Sequence, residues 1–463
     1  MDQSLLYDKE LISRYDQPGP RYTSYPAATQ FHEKFLVKDY VKQAQDTNRD
    51  LIPTPLSLYF HLPFCDTVCY YCACNKIVTR NRKHAIPYLD NLYSEIEYQG
   101  NLFDRDRVVD QLHWGGGTPT FISHDQMCEL MEVTGEHFTL RGDDEGEYSI
   151  EVDPREIDSE SIPLLRKIGF NRISIGIQDF DPSVQKAVNR IQPYEQTAEV
   201  MQASRDNTFH SISVDLIYGL PLQSVASFKP TLDRIVELSP DRVAIYNYAH
   251  LPHLFKTQKQ INEADLPSPA EKLAILQTAI DTMTDAGYVY IGMDHFAKPD
   301  DELAIAQRDG NLYRNFQGYS THANCDVIAM GATSISRVGD CYSQNVRTPD
   351  EYDAIIRSGE IPIFRGYILD TDDKIRRDVI AQLICHFSLQ FSLIESLYDI
   401  DFKTYFSGEL EALSTMQADG LLHFDAEKIQ VLPIGRLLIR NICTVFDKYM
   451  QQADTTKRFS KMI

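Results

Sequence analysis

The stretch LSLYFHLPFCDTVCYYCACN (56–75) joins a β-rich run to a loop dense in sulfur. Its first seven residues, Leu56–Leu62, are mainly aliphatic and aromatic, as a buried strand requires. Directly afterwards Cys65, Cys69, Cys72 and Cys74 fall within ten residues, spaced C-x3-C-x2-C with one further cysteine. Two chemistries suit such a loop. Four thiolates could close a tetrahedral zinc site, structural when no coordination position stays open. Three thiolates could instead each hold one iron of a [4Fe–4S] cube and leave the fourth iron free. Zinc knuckles come as two separated pairs, whereas this is one compact loop after a strand, which favours the cube. The other five cysteines, 128, 325, 341, 385 and 443, are scattered and read as small buried hydrophobes.

Working outward, similar β-rich runs recur: VDQLHW, YSIEVD, RISIGIQ, SISVDLIYG, RVAIYNY, YVYIGMDHF and VIAMGATSIS. Between most of them lie stretches with helical spacing, such as YLDNLYSEIEYQ and SFKPTLDRIVEL. Strands alternating with helices imply βαβ units and a parallel sheet. Six such units followed by two further strands indicate an α/β chain with a complete or partly open parallel β/α barrel. Polar residues then fall at successive strand ends. Cys65 follows the first strand, Gly115–Gly117 the second, and Glu151 and Asp153 end the third. Gln178 ends the fourth, Asp215 lies in the fifth, and Asn247 and Tyr248 end the sixth. Parallel barrels gather catalytic groups at that face.

The expected organisation is an irregular N-terminal arm over 1–50, the barrel over 51–345 and a mainly helical C-terminal domain over 368–463. In the last of these, LLHFDAEKIQVLP reads as a hairpin, with a helix from about Arg436, an order similar to a winged helix. The net charge of −22 argues against attraction to nucleic acid or an anionic membrane. Any anionic ligand must therefore meet local cations. No run reaches the ~18–20 apolar residues of a membrane span, and MDQSLLYDKE lacks the features of a signal peptide. The expectation is a soluble, cytoplasmic protein, and nothing in the chain demands a dimer.

The cysteine loop resembles the signature of the radical S-adenosylmethionine (SAM) superfamily. GPRYTSYP (19–26), LHWGGGTPT, IEVDPRE, DLIYGLP, IGMDHFAKPDDELA, NFQGYSTH and GRLLIRNIC extend the likeness over nearly the whole chain. Together they resemble the oxygen-independent coproporphyrinogen III oxidases. A related branch, the haem chaperones, shares the three cluster cysteines but acts as a haem carrier. It generally has an aromatic residue in place of Cys74 and lacks the GPRYTSYP segment.

The resemblance implies that Cys65, Cys69 and Cys72 ligate the cube while Cys74 stands nearby. It implies SAM contacts at Tyr59, Tyr71, Gly116, Gly117, Thr118, Glu151, Gln178, Arg190, Asp215, Ala249 and Ile335, with Gln317 a weaker candidate. The family pattern distributes such contacts over two SAM molecules. Ala329 stands where relatives have glycine. Catalysis then needs no side chain beyond those serving the cluster and SAM. The implied reaction converts two propionates of coproporphyrinogen III to vinyl groups, with a low-potential electron donor and a further electron acceptor. Arg21 and Tyr22 in the arm, and Arg337, are the expected substrate contacts. Pro18, Pro20 and Pro26 stiffen the arm, which suits a cover over the barrel mouth.

Overall fold

Val, Ile, Leu and Tyr crowd the short apolar runs, and most of these runs form parallel strands. The computed structural model describes residues 5–450 except 323. Contacts divide the chain into two units: residues 31–272 with 324–368, and residues 1–30 with 273–323 and 369–463. Two features thus differ from the expected organisation. Residues 273–323 do not cluster with the rest of the barrel segment, and the arm is split at about residue 30. Residues 1–4 of the arm and 451–463 of the C-terminal segment lie outside the described residues.

The larger unit contains β1 (Leu56–Leu62), β2 (Val108–Gly116), β3 (Glu147–Val152), β4 (Arg172–Gln178), β5 (Ser211–Tyr218) and β6 (Arg242–Asn247). Each pairs in parallel with the next in chain order. On its other side β1 pairs in parallel with β7 (Asp326–Met330), with Leu56 opposite Asp326 and Phe60 opposite Met330. The sheet continues antiparallel through β8 (Ile335–Val338), β9 (Cys341–Asn345) and β10 (Ile363–Ile368). The strand order β6-β5-β4-β3-β2-β1-β7-β8-β9-β10 is an open path.

Helices connect the parallel strands and have local reasons to start. Ser123 caps His124–His137 by accepting from Gln126 N–H, and Ser224 caps Val225–Leu238 in the same way. Along β1 every side chain except Tyr59 is buried, so the strand is enclosed on both faces. All of the parallel strands point one way, so the residues that follow them emerge at one end.

In the smaller unit, YVYIGMDHF is an antiparallel hairpin of Val289–Gly292 and His295–Ala297, not one strand. Gly292 and Met293, both at positive φ, provide the reversal that an apolar pattern does not reveal. The C-terminal segment has the expected hairpin, Leu422–Phe424 with Lys428–Val431. Ser388–Gln390 adds a third strand to it, and the following helix starts at Ile439. Arm residues are built into this unit. The Arg440 guanidinium donates to the carbonyls of Pro20 (3.0 Å) and Gly19 (2.6 Å), and Asn441 donates to Tyr15 (2.6 Å). No helix among the described residues is long and apolar enough to cross a membrane.

Candidate functional site

Strand β1 runs past Pro63 into the cysteine loop, and main-chain bonds clip the loop at both ends. Phe64–Cys65 pairs in parallel with Ile77–Val78, with Ile77 N–H donating to Pro63 (2.6 Å) and Thr79 N–H to Cys65 (2.9 Å). On the other side Gly117 N–H donates to Leu62 (2.9 Å) and Thr118 N–H to Phe64 (2.7 Å). Side chains satisfy carbonyls at the apex: Asn189 donates to Val68, Gln258 to Tyr71, and Thr257 and Lys76 to Cys72. A loop whose backbone polar groups are so engaged can present its thiols outward.

Those thiols border a cavity of about 260 Å³ at the C-terminal ends of β1–β5. Cys65, Cys69, Cys72 and Cys74 line it together with Tyr71, Gly116, Gly117 and Thr118. Glu151, Gln178, Arg190 and Asp215 complete the expected residues there. The cysteines are not alike. Burial pushes the Cys65 thiol up to about 12, although the Thr118 hydroxyl donates to its sulfur at 3.7 Å. The Cys74 thiol donates to Cys72 and, with the Lys76 ammonium beside it, holds Cys72 below the usual thiol range while Cys74 rises. The residue bonded as a partner of Cys72 is therefore Cys74. Among the described residues no three Cys, His, Asp or Glu side chains converge on one point as the ligands of a single ion would. A cube asks less of them, because each of its thiolates meets a different iron. Three thiols spread around one cavity fit that requirement.

Cys69 sits against two arginines. Arg155 Nη2 and Arg190 Nη1 each donate to its sulfur at 3.7 Å. Asp153 joins the two cations, accepting from Arg155 at 2.6 Å and from Arg190 at 2.8 Å. Burial alone would raise its carboxyl, but the guanidinium groups outweigh burial and take it down to about 2. Arg190 also donates to the Gly176 carbonyl at 2.6 Å. The role of Arg155 was missed in the sequence, although IEVDPRE places Asp153 at a strand end and Arg155 two residues on.

Across the cavity Glu151 accepts from Gly116 N–H (3.2 Å) and lies 3.4 Å from His113 Nε2. Partial desolvation opposes ionisation, but these donors hold its carboxyl below the usual range, and at 45% exposure the side chain is only half-buried. Burial and the Glu151 charge push Asp215 the other way, up to about 7. Of this pair Glu151 is the ionised carboxylate, and Asp215 titrates in the neutral range. Gln178 has φ of +70° at a register shift between β4 and β5. Such a bulge re-aims a side chain, and strained backbone of this kind gathers at functional sites. Gly116 has φ of +113°, and a Cβ there would lie 2.6 Å from His61 Nδ1. At Gly117 a Cβ would meet the Phe64 carbonyl oxygen at 2.6 Å, so these glycines let β2 close on the cysteine strand.

Other expected contacts are placed elsewhere. Tyr59 lies behind the cavity, bonded to His61 Nδ1 at 3.1 Å and stacked on His113. The Ala249 carbonyl accepts from the same Gln258 amide that holds Tyr71. Ile335 opens β8 opposite Gln344, and Gln317 occupies a hairpin turn in the smaller unit. Ala329 is buried in β7 opposite Tyr59.

Each of the three expected substrate residues has a partner within the protein. Tyr22 is buried and its hydroxyl donates to Asp447 at 3.1 Å, which makes it an anchor of the arm. Arg21 is paired with Asp294 at 3.1 Å. Arg337 stands opposite Val327, near the start of β7, and donates to the Cys325 carbonyl at 2.8 Å. It lies at the end of the strands opposite to the cysteine loop, because β7 begins level with Leu56.

Comparison with known proteins agrees with this arrangement. Residues 59–235 match the Radical SAM superfamily, and residues 369–438 match the HemN C-terminal domain. The oxygen-independent coproporphyrinogen III oxidase of Pseudomonas aeruginosa is 50% identical over 463 residues, covering 100% of both chains. That of Escherichia coli K12 is 48% identical over 462 residues, covering 100% of this chain and 99% of its own. The solved structure of coproporphyrinogen III oxidase (HemN) from Escherichia coli, a radical SAM enzyme, superposes with a TM-score of 0.91. It is 47% identical and covers 96% of this chain and 100% of its own.

Proposed function

From the premise that the chain belongs to the oxygen-independent coproporphyrinogen III oxidase family, we propose that it oxidatively decarboxylates coproporphyrinogen III to protoporphyrinogen IX in haem biosynthesis. Two propionates each lose a hydrogen atom to the radical, an electron to the acceptor and their carboxyl group as CO2, and so become vinyl groups. When bound, the [4Fe–4S] cluster and SAM supply a reductively generated 5′-deoxyadenosyl radical that can take a hydrogen atom from a propionate arm.

The residues of the cavity serve this chemistry by holding and excluding. Cys65, Cys69 and Cys72 ligate the cube. Cys74 tunes Cys72 by its hydrogen bond and is not a ligand. Arg155 and Arg190 place positive charge beside Cys69. Ionised Glu151 accepts from the ammonium of SAM or from a ribose hydroxyl, and Asp215, when neutral, donates from its carboxyl. Gln178 and the Gly116–Thr118 loop border the same ligand. Tyr59, Ala249 and Ile335 act from beside the cavity.

The observation that carries this reading is the convergence of the cysteine loop, the Asp153-linked arginines and Glu151 on one cavity. Its test is anaerobic: reconstituted protein supplied with SAM, a low-potential reductant, an electron acceptor and coproporphyrinogen III should form protoporphyrinogen IX. Protein with about four irons per chain that binds haem stably and never decarboxylates would belong with the carriers instead. The enzyme acts in the cytoplasm as a monomer in this reading.

A further inference from the structure

A second hollow of the larger unit, about 510 Å³, is bordered by Phe31, Lys34, Arg347, Phe364 and Arg365, with His32 and Glu33 beside them. Strand directions place it at the same end as the cysteine loop. β7 is parallel to β1, and two antiparallel steps bring β9 back to that direction. The end of β9 and Arg347 after it therefore emerge where Cys65 does. β10 starts at that end, with Asn345 opposite Ile363 and then Phe364 and Arg365. The Arg347 carbonyl accepts from Asn75 at 2.9 Å, and Asn75 directly follows Cys74, which lines the cavity.

The chemistry of the hollow is unlike the rest of this acidic chain. Lys34, Arg347 and Arg365 have no carboxylate within ion-pair distance among the described residues. Arg365 donates from Nε to Gln344 at 2.7 Å and stands 5.9 Å from the Phe31 ring centre and 6.0 Å from that of Phe364. Arg347 also stands 6.0 Å from the Phe364 ring centre. Burial, and then the charge of Arg347, hold Arg365 below its ordinary value against the opposing charge of Glu33, so the two guanidinium groups repel each other.

We propose that Arg347 and Arg365 dock a propionate carboxylate of the tetrapyrrole that is not the one reacting, with Phe31 and Phe364 beside its pyrrole ring. This rests on the substrate assigned above and adds a place for its distal part. Two of the four propionates survive the reaction, so a carboxylate remains to be gripped through both decarboxylations. Guanidinium groups are the side chains best matched to a planar carboxylate, and stacked rings match the apolar macrocycle.

The test is equilibrium binding of coproporphyrin III, the stable fluorescent oxidised form with the same four propionates, to the cluster-loaded protein. Arg347→Glu, at an exposed side chain, and Arg365→Ala should each raise Kd about tenfold or more. The tetramethyl ester, which lacks the charges, should lose no affinity. During turnover Arg347→Glu should also release more of the monovinyl intermediate. Unchanged affinity for the tetra-acid in iron-loaded Arg347→Glu overturns the proposal, even if Arg365→Ala fails to fold. Failure of the wild type to form protoporphyrinogen IX, while the variants still lose tetra-acid binding, would instead overturn the assigned reaction and leave the carboxylate site standing.

Discussion

Arg190 Nη1 lies 2.8 Å from Asp153 Oδ2, with both side chains more than nine-tenths buried. The same carboxylate also holds Arg155 at 2.6 Å, so one anion serves two cations beside Cys69. Its folded value of about 2 lies below the ordinary 3.8. The associated stability is present above the ordinary value and is lost as pH falls towards 2, amounting to about 2 kcal/mol. Asp153→Asn should therefore lower unfolding stability at pH 7 by about 2 kcal/mol or more, measured from the denaturant midpoint. A midpoint equal to that of the wild type would show that the arginines need no counter-charge.

Substituting Cys65, Cys69 or Cys72 by Ser should abolish iron binding in each case, since each thiolate is assigned a different iron. Cys74→Ser should keep most of the iron. Iron and sulfide analysis after anaerobic reconstitution checks this, and complete loss in Cys74→Ser would mean a fourth ligand.

Glu151→Ala should leave iron content near the wild-type level and reduce 5′-deoxyadenosine formation by about tenfold or more, because a charged acceptor is worth that much. Gly116→Val cannot separate the two properties so cleanly. Its Cβ would strike His61 and its φ is left-handed, so iron loading should fall as well.

Glu95 supplies a pH dependence remote from the chemistry. It is fully buried, accepting from Gly331 N–H, Tyr352 and Asn345. Burial lifts its carboxyl to about 7 in spite of these donors. Between its ordinary value of 4.5 and 7 the folded chain holds the proton more tightly, so stability falls as pH rises, by about 3 kcal/mol in full. Glu95→Gln should flatten that slope in melting temperatures taken from pH 5 to 8. An equal slope in the variant would assign the dependence to another group.

The strands and the cysteine spacing were legible because composition and short-range spacing encode them. Glu151, Gln178, Arg190 and Asp215 were legible because each could be placed near a strand end or in a familiar motif. The level of Arg337 in the sheet depends on the reversal at Gly331–Ser334, which apolar runs do not display. The partners of Tyr22 and Arg21, Asp447 and Asp294, lie hundreds of residues away and leave no local signal. The Arg155 contact with Cys69 spans 86 positions and likewise has no local signal.

The paired segments Phe64–Cys65 and Ile77–Val78 turn the cysteine loop into a ring closed by peptide groups alone. Bringing the ends of a flexible segment together costs entropy that would otherwise fall on metal uptake. Here that cost belongs to folding, so the thiols form a chelate prepared in advance of its guest. Iron lost to oxygen should then leave the ring in place, and the damaged chain should be refilled without passing through an unfolded state.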